Sequence, residues 1–127
     1  MVQRLTKAEE EIMLVLWRLK EAVVREVINN LPDPETPYTT VSTVIRILEK
    51  KGKVGHRAVG TTHIYYPLLS KREYLRNYLG GIVKNYFDGS TSSLLTFYAK
   101  ESDMSLDQLK DLIADVESEL KNDNNDD

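Results

Sequence analysis

Pro32, Pro34 and Pro37 stand within six residues of one another, and no helix runs through such a stretch. Each proline lacks an amide donor, and its ring clashes with the preceding turn. On both sides apolar residues recur at helical spacing. Before the prolines, Ile12, Met13, Leu16 and Trp17 mark one helix, opened by the capping box Thr6-Lys7-Ala8-Glu9. Val23, Val27, Ile28 and Leu31 mark a second, over about Ala22 to Asn30. After the prolines, Val41, Val44, Ile45 and Leu48 fall at i, i+3, i+4 and i+7, with Thr39 or Thr40 as N-cap and Lys50-Lys51-Gly52 as terminus. The chain is thereby held to helix, helix, stiff turn, helix, with Trp17 expected as the large central filler of the core.

Beyond Gly52 the period drops from helical to two. Val54, His56 and Ala58, then Ile64, Tyr66 and Leu68, alternate on either side of Gly60-Thr61-Thr62, which reads as a hairpin from Lys53 to Leu69. Ser70-Lys71-Arg72-Glu73 is a second capping box. It opens a long helix striped by Tyr74, Leu75, Tyr78, Leu79, Ile82, Val83, Tyr86 and Phe87, closed by Asp88-Gly89. A short helix through Leu94, Leu95, Phe97 and Tyr98 follows. Ser105-Leu106-Asp107-Gln108 then opens a last one, striped by Leu109, Leu112, Ile113, Val116 and Leu120. The expected class is mainly α with a small β-hairpin: a winged helix-turn-helix over residues 1–70, a helical dimerisation region over 71–120 and a disordered acidic tail over 121–127. Both C-terminal stripes need covering, and a twofold pair of chains covers them with the fewest elements.

The net charge of −3 hides a split. Residues 1–80 sum to +4 and residues 81–127 to −7, while Tyr38 to Arg76 alone sums to +6. A local positive field on an acidic chain points to a negative partner there. Double-stranded DNA fits, because a winged helix-turn-helix lays its third helix in the major groove and its hairpin along the backbone. Thr40, Ser42, Thr43 and Arg46 carry the hydroxyl and guanidinium chemistry that reads base edges, and Thr39 beside them is a DNA-binding candidate that also reads as a structural cap. Lys50, Lys51, Lys53 and Arg57 suit phosphates, and Thr61 and Thr62 complete the set at the wing turn.

Other classes find less support. The chain has no cysteine, which removes disulfides, thiolate nucleophiles and sulfur-bound zinc. His56 and His63 are its only histidines and read as strand residues, so neither a metal nor a cofactor is expected. No constellation for catalysis is visible: no phosphate-cradling glycine loop, no Ser-centred elbow, no His-carboxylate spacing on one helix. No signal peptide or membrane span is read in the sequence, which makes the cytoplasm the expected compartment. The competing reading is a winged-helix adaptor that binds an acidic protein through its wing.

Three stretches carry a family resemblance: Leu5-Thr6-Lys7-Ala8-Glu9 with Ile12-Met13 and Leu16-Trp17; Tyr38-Thr39-Thr40-Val41-Ser42-Thr43-Val44 with Leu48-Glu49-Lys50-Lys51-Gly52; and Tyr65-Tyr66-Pro67 with Ser70 and Tyr74. In this order they resemble the penicillinase-repressor family, BlaI/MecI/CopY, over nearly the whole chain up to Leu120. The resemblance implies a homodimeric repressor on a palindromic operator, controlling genes for resistance to cell-wall antibiotics or for copper handling. In the antibiotic branch a membrane-bound sensor leads to proteolysis at an Asn-Phe bond, and near the expected position this chain has Thr96-Phe97, without the Asn. The copper branch uses C-terminal cysteines, which this chain lacks. Two departures touch the interface: Ile47 stands where the family often has Arg, with Arg46 one residue earlier, and the turn Gly60-Thr61-Thr62 has no basic residue.

Overall fold

The first helix starts where its own side chains can satisfy its loose amides. Thr6 Oγ1 accepts the Glu9 amide at 3.2 Å, and Glu9 Oε1 accepts the Thr6 amide at 2.9 Å. In the computed structural model, which describes residues 4–125, the elements run α1 (Lys7–Leu19), α2 (Val24–Asn29), α3 (Tyr38–Lys50), β1 (Val54–Val59), β2 (Thr62–Pro67), α4 (Lys71–Tyr86), α5 (Thr91–Glu101) and α6 (Leu106–Asn125). The chain divides into two compact units, Met1–Leu79 and Gly80–Asp127.

Between α2 and α3 the proline-rich turn is organised by Asp33. Its carboxylate accepts the Glu35 amide at 2.9 Å, and its carbonyl accepts both the Thr36 amide and hydroxyl. The start of α3 differs from expectation. Neither Thr39 nor Thr40 is its N-cap; Pro37 is, at φ −59°, with its carbonyl accepting the Thr40 and Val41 amides at 3.1 and 3.2 Å. A proline already holds the backbone angle that helix entry needs, so both threonines fall in the first turn with exposed side chains.

Val41, Ile45 and Leu48 of α3 are at most 1% exposed and pack with Met13 and Leu16 of α1, Val27 of α2 and Val54 of β1. Each such side chain contributes roughly 1.5–3 kcal/mol by leaving water. Trp17 is not the central filler. It lies half-buried at the edge of this core, donating its indole Nε1–H to the Leu69 carbonyl at 2.8 Å and tilting against Tyr74. The indole needs an acceptor, and the chain leaving the wing supplies one.

β1 and β2 pair antiparallel, with Val59 opposite Thr62 and Val54 opposite Pro67. Gly60 at φ +62° followed by Thr61 makes the two-residue turn, the glycine-first pattern of a II′ hairpin. The register puts His56 opposite Tyr65, so Tyr65 shares the inner face with Val54 and is buried, while Tyr66 takes the other face and is half-buried. The inner face of the second strand is thus His63, Tyr65 and Pro67, one residue out of step with the expected Ile64, Tyr66 and Leu68. Tyr65 is held there by a two-way backbone bridge to Ala22, at 2.8 and 2.9 Å.

The start of α4 also belongs to the N-terminal unit. Tyr74 is 6% exposed, its hydroxyl accepts the buried Leu5 amide at 3.1 Å, and its ring leans on Tyr78, over which Arg4 sits at 4.9 Å. Tyr74 and Tyr78, expected to serve dimerisation, are therefore core and core-edge residues, and the unit continues past residue 70. In the unit Gly80–Asp127, Phe87 and Phe97 meet at 5.6 Å between ring centroids. Ser90 caps α5, and Ser105 and Gln108 form the reciprocal box before α6. α6 continues to Asn125, so the stretch expected to be disordered from Lys121 is helical as far as that residue; Asp126 and Asp127 lie outside the described residues. Once the turns up to Leu120 exist, each added residue gains a hydrogen bond without a new nucleation cost. Among the described residues no helix is long and apolar enough to cross a membrane.

Removing the Tyr74 hydroxyl (Tyr74→Phe) leaves the buried Leu5 amide without its acceptor. Urea titration is expected to show a loss of about 1–3 kcal/mol, and an unchanged midpoint would show that the bond to Leu5 contributes nothing.

Candidate nucleic-acid interface

With its apolar stripe buried, α3 turns Tyr38, Thr39, Thr40, Thr43, Arg46, Ile47 and Lys50 to solvent. Ser42 is half-buried beneath Arg46, whose guanidinium donates to Ser42 Oγ at 3.0 Å. That bond aligns the arginine along the helix while leaving most of its donors free.

An open cleft of about 570 Å³ separates α3 from the wing. Ser42 and Arg46 line one wall, Thr61 and Thr62 at the wing tip the other, and the start of α2 closes one end with Val23, Val24 and Arg25. Four of the expected DNA-binding residues therefore meet in one concavity. Thr39, Thr40, Thr43 and Lys50 are exposed on α3 outside its lining. Lys53 is half-buried, and its carbonyl anchors the chain leaving the wing by accepting the Leu68 and Leu69 amides.

Two expected phosphate ligands are already engaged. Lys51 Nζ lies 2.9 Å from Glu9 Oε2, the carboxylate that also caps α1. Arg57 projects from the wing face opposite His56 and meets Glu21 at 2.9 Å. Sequence reasoning saw the basic residues but not these partners, which lie 42 and 36 positions away along the chain.

The cleft also holds residues that the sequence reading did not assign to the interface. Arg25 stacks over the Tyr38 ring at 5.3 Å and borders the cleft from α2. It lies outside the basic run and on a helix whose polar face had no assigned task. Glu49 faces the wing from α3 and pairs with His56 Nδ1; His56 in turn stacks on His63, with ring centroids 4.3 Å apart and an interplanar angle of 15°. The period-two pattern from Val54 through His56 was the available signal. Burial pushes the Tyr65 phenol up from its ordinary value, the Glu49 carboxylate adds to this, and Arg46 partly opposes it.

Of the other expected dimerisation residues, Leu75, Leu79, Tyr86, Leu95, Leu112, Ile113 and Val116 are exposed, and Ile82, Val83, Phe87, Leu94 and Leu109 are half-buried. Thr96 and Phe97 are both exposed on α5.

A family model described as Penicillinase repressor matches residues 5–118. The penicillinase repressor of Bacillus licheniformis is 25% identical over 112 residues, covering 87% of this chain and 88% of that protein. Among solved structures, the solution structure of the DNA-binding domain of the repressor BlaI superposes with a TM-score of 0.50 at 29% identity, covering 58% of this chain and 92% of that domain.

The Glu9–Lys51 pair gives the fold a pH dependence with a definite sign. Burial by itself raises the Glu9 carboxyl, but the Thr6 amide, Lys51 and the Thr6 hydroxyl together outweigh it and hold the group below its ordinary value of 4.5. A carboxyl depressed by folding contributes stability above its unfolded value, and that contribution is lost as pH falls through the folded value. Melting temperature is therefore expected to drop as pH falls below about 4.5, with a shallower drop in Glu9→Gln; identical pH profiles would remove Glu9 from the account.

Proposed function

Because the chain belongs to the penicillinase repressor family and is a DNA-binding transcriptional regulator of that type, we propose that it acts as a homodimeric repressor on a palindromic operator. The observation that carries this is the division of α3 into a face locked in the core and a face of hydroxyls and guanidinium beside the wing. The outward residues Thr39, Thr40, Thr43 and Arg46, with Ser42, read base edges in the major groove. Lys50, Lys53 and the tip residues Thr61 and Thr62 contact the backbone, joined by Arg25 across the cleft. Lys51 and Arg57 contribute only where a phosphate displaces Glu9 or Glu21.

Dimerisation falls to the unit Gly80–Asp127. Leu95, Phe97, Leu106, Ile113, Val116 and Leu120 are each 48–67% exposed in the single chain, more apolar surface than an isolated soluble chain usually leaves in water. A second copy buries it and sets two recognition helices for half-sites a turn of DNA, or a multiple of it, apart. The targets fitting this family are antibiotic-resistance genes. A cut between Thr96 and Phe97 would sever α6 from the DNA-binding unit, which is how a membrane-bound sensor pathway would end repression.

Selection of duplexes from a random pool tests the reading directly. A repressor enriches one palindrome and binds it at least about 10³-fold better than mixed-sequence DNA. An adaptor for acidic proteins enriches none. Arg46→Ala is expected to cost about 1–3 kcal/mol and relax preference at one position per half-site. Lys50→Ala is expected to weaken all duplexes alike and flatten the salt slope by about one unit. Sedimentation equilibrium should give a dimer at micromolar concentration, and a monomer there refutes the architecture.

A further inference from the structure

A carboxylate is an unexpected lining for a cleft meant for phosphates, and Glu49 is one. Its side chain is 31% exposed, borders the cleft on the α3 side and is paired with His56 of β1. His56 is stacked on His63 of β2, the chain's only other histidine. His56 pairs with Tyr65 and His63 with Ala58, so the two histidines are diagonal neighbours on the inner face, close enough for their rings to stack. An imidazole exchanges its proton between about pH 5 and 8, and two imidazolium charges stacked at 4.3 Å repel each other. One proton on the pair is balanced by Glu49; a second has no carboxylate to balance it in the cleft.

The other charged and titratable groups facing the pair are Arg46 and Tyr38 on α3, Arg25 on α2 and Tyr65 on β2. The two arginines stay charged throughout the physiological range, and phenols ionise only near 10. Arg57 is on the opposite wing face, paired with Glu21. Within the cleft the histidines are therefore the groups whose charge can change when a polyanion arrives. A duplex laid along the wing brings phosphates to the mouth of this cleft, and their negative charge favours a further proton on the stacked pair.

We propose that the His56–His63 stack opposite Glu49 is a proton-loaded contact for the DNA backbone, so that binding a duplex draws at least one proton onto the wing. This rests on the DNA-binding reading above. The consequence is that affinity for DNA rises as pH falls through the histidine range, by up to tenfold per pH unit for one proton taken up.

The test is titration of the full chain with the duplex selected above and with a mixed-sequence 30-bp duplex, at fixed ionic strength with a chelator present. Calorimetry at pH 7 in two buffers of different ionisation enthalpy counts protons on the unmodified protein, and uptake of about 0.5 or more is expected. Between pH 8 and 6 the dissociation constant is expected to fall at least about fivefold. In His56→Gln/His63→Gln most of that dependence should vanish while binding at pH 8 persists. Glu49→Gln should tighten binding several-fold at pH 8 by removing a negative charge from the path of the phosphates. Binding without proton uptake, or an equal pH slope in the double variant, overturns this proposal and leaves the DNA-binding reading intact. No binding to either duplex at any pH overturns both.

Discussion

The burial of one face of α3 is the constraint on which the rest of the molecule depends. Val41, Ile45 and Leu48 are closed off by residues from α1, α2 and β1 together, so the helix cannot rotate about its axis without exposing them. Rotation by one residue would put Ser42 or Arg46 into an apolar core, which desolvation forbids. The outward face follows from the inward one. The outward side chains of α3 are held in a fixed register, and that register comes from packing within the chain.

Polar pins then set the surrounding pieces around that helix. Glu9 joins the start of α1 to the end of α3 through its two oxygens, one accepting the Thr6 amide and the other meeting Lys51. The Ala22–Tyr65 bridge ties the wing to the connection between α1 and α2, and the Trp17 indole ties α1 to the chain leaving the wing. Each pin engages a group that burial would otherwise leave unsatisfied. Together they keep the hairpin, which as an isolated two-stranded sheet is at best marginally stable in water, at a fixed place beside α3.

Much of this was legible from the residues alone, and the misses have physical causes. The helix stripes, the capping boxes and the change of period at Gly52 are local patterns, and the elements follow them. The N-cap of α3 was misplaced because a proline carbonyl can do the work expected of a threonine hydroxyl. The second strand's inner set is one residue out of step with the expected one because Ile64, Tyr65 and Tyr66 are all apolar enough to face inward, and only the pairing of His56 with Tyr65 decides among them. Tyr74 and Tyr78 continue a helical stripe that gives no sign of where it changes neighbours. The ion pairs of Lys51 and Arg57 join residues far apart in sequence, where composition shows charge but no partner. Of the site itself, the hydroxyl and basic residues were visible as types; the cleft, and the histidines and glutamate within it, appear only when the wing is folded against α3.

The turn at the tip of the wing has a further meaning. Gly60 is held to glycine by its backbone angle of φ +62° although open space surrounds it, whereas Thr61 and Thr62 beside it are exposed and carry none of the core. Loop tips of this kind accept inserted or exchanged residues with little effect on the rest of a domain. The residues beside that glycine can therefore be exchanged one at a time without the chain having to re-solve how to fold.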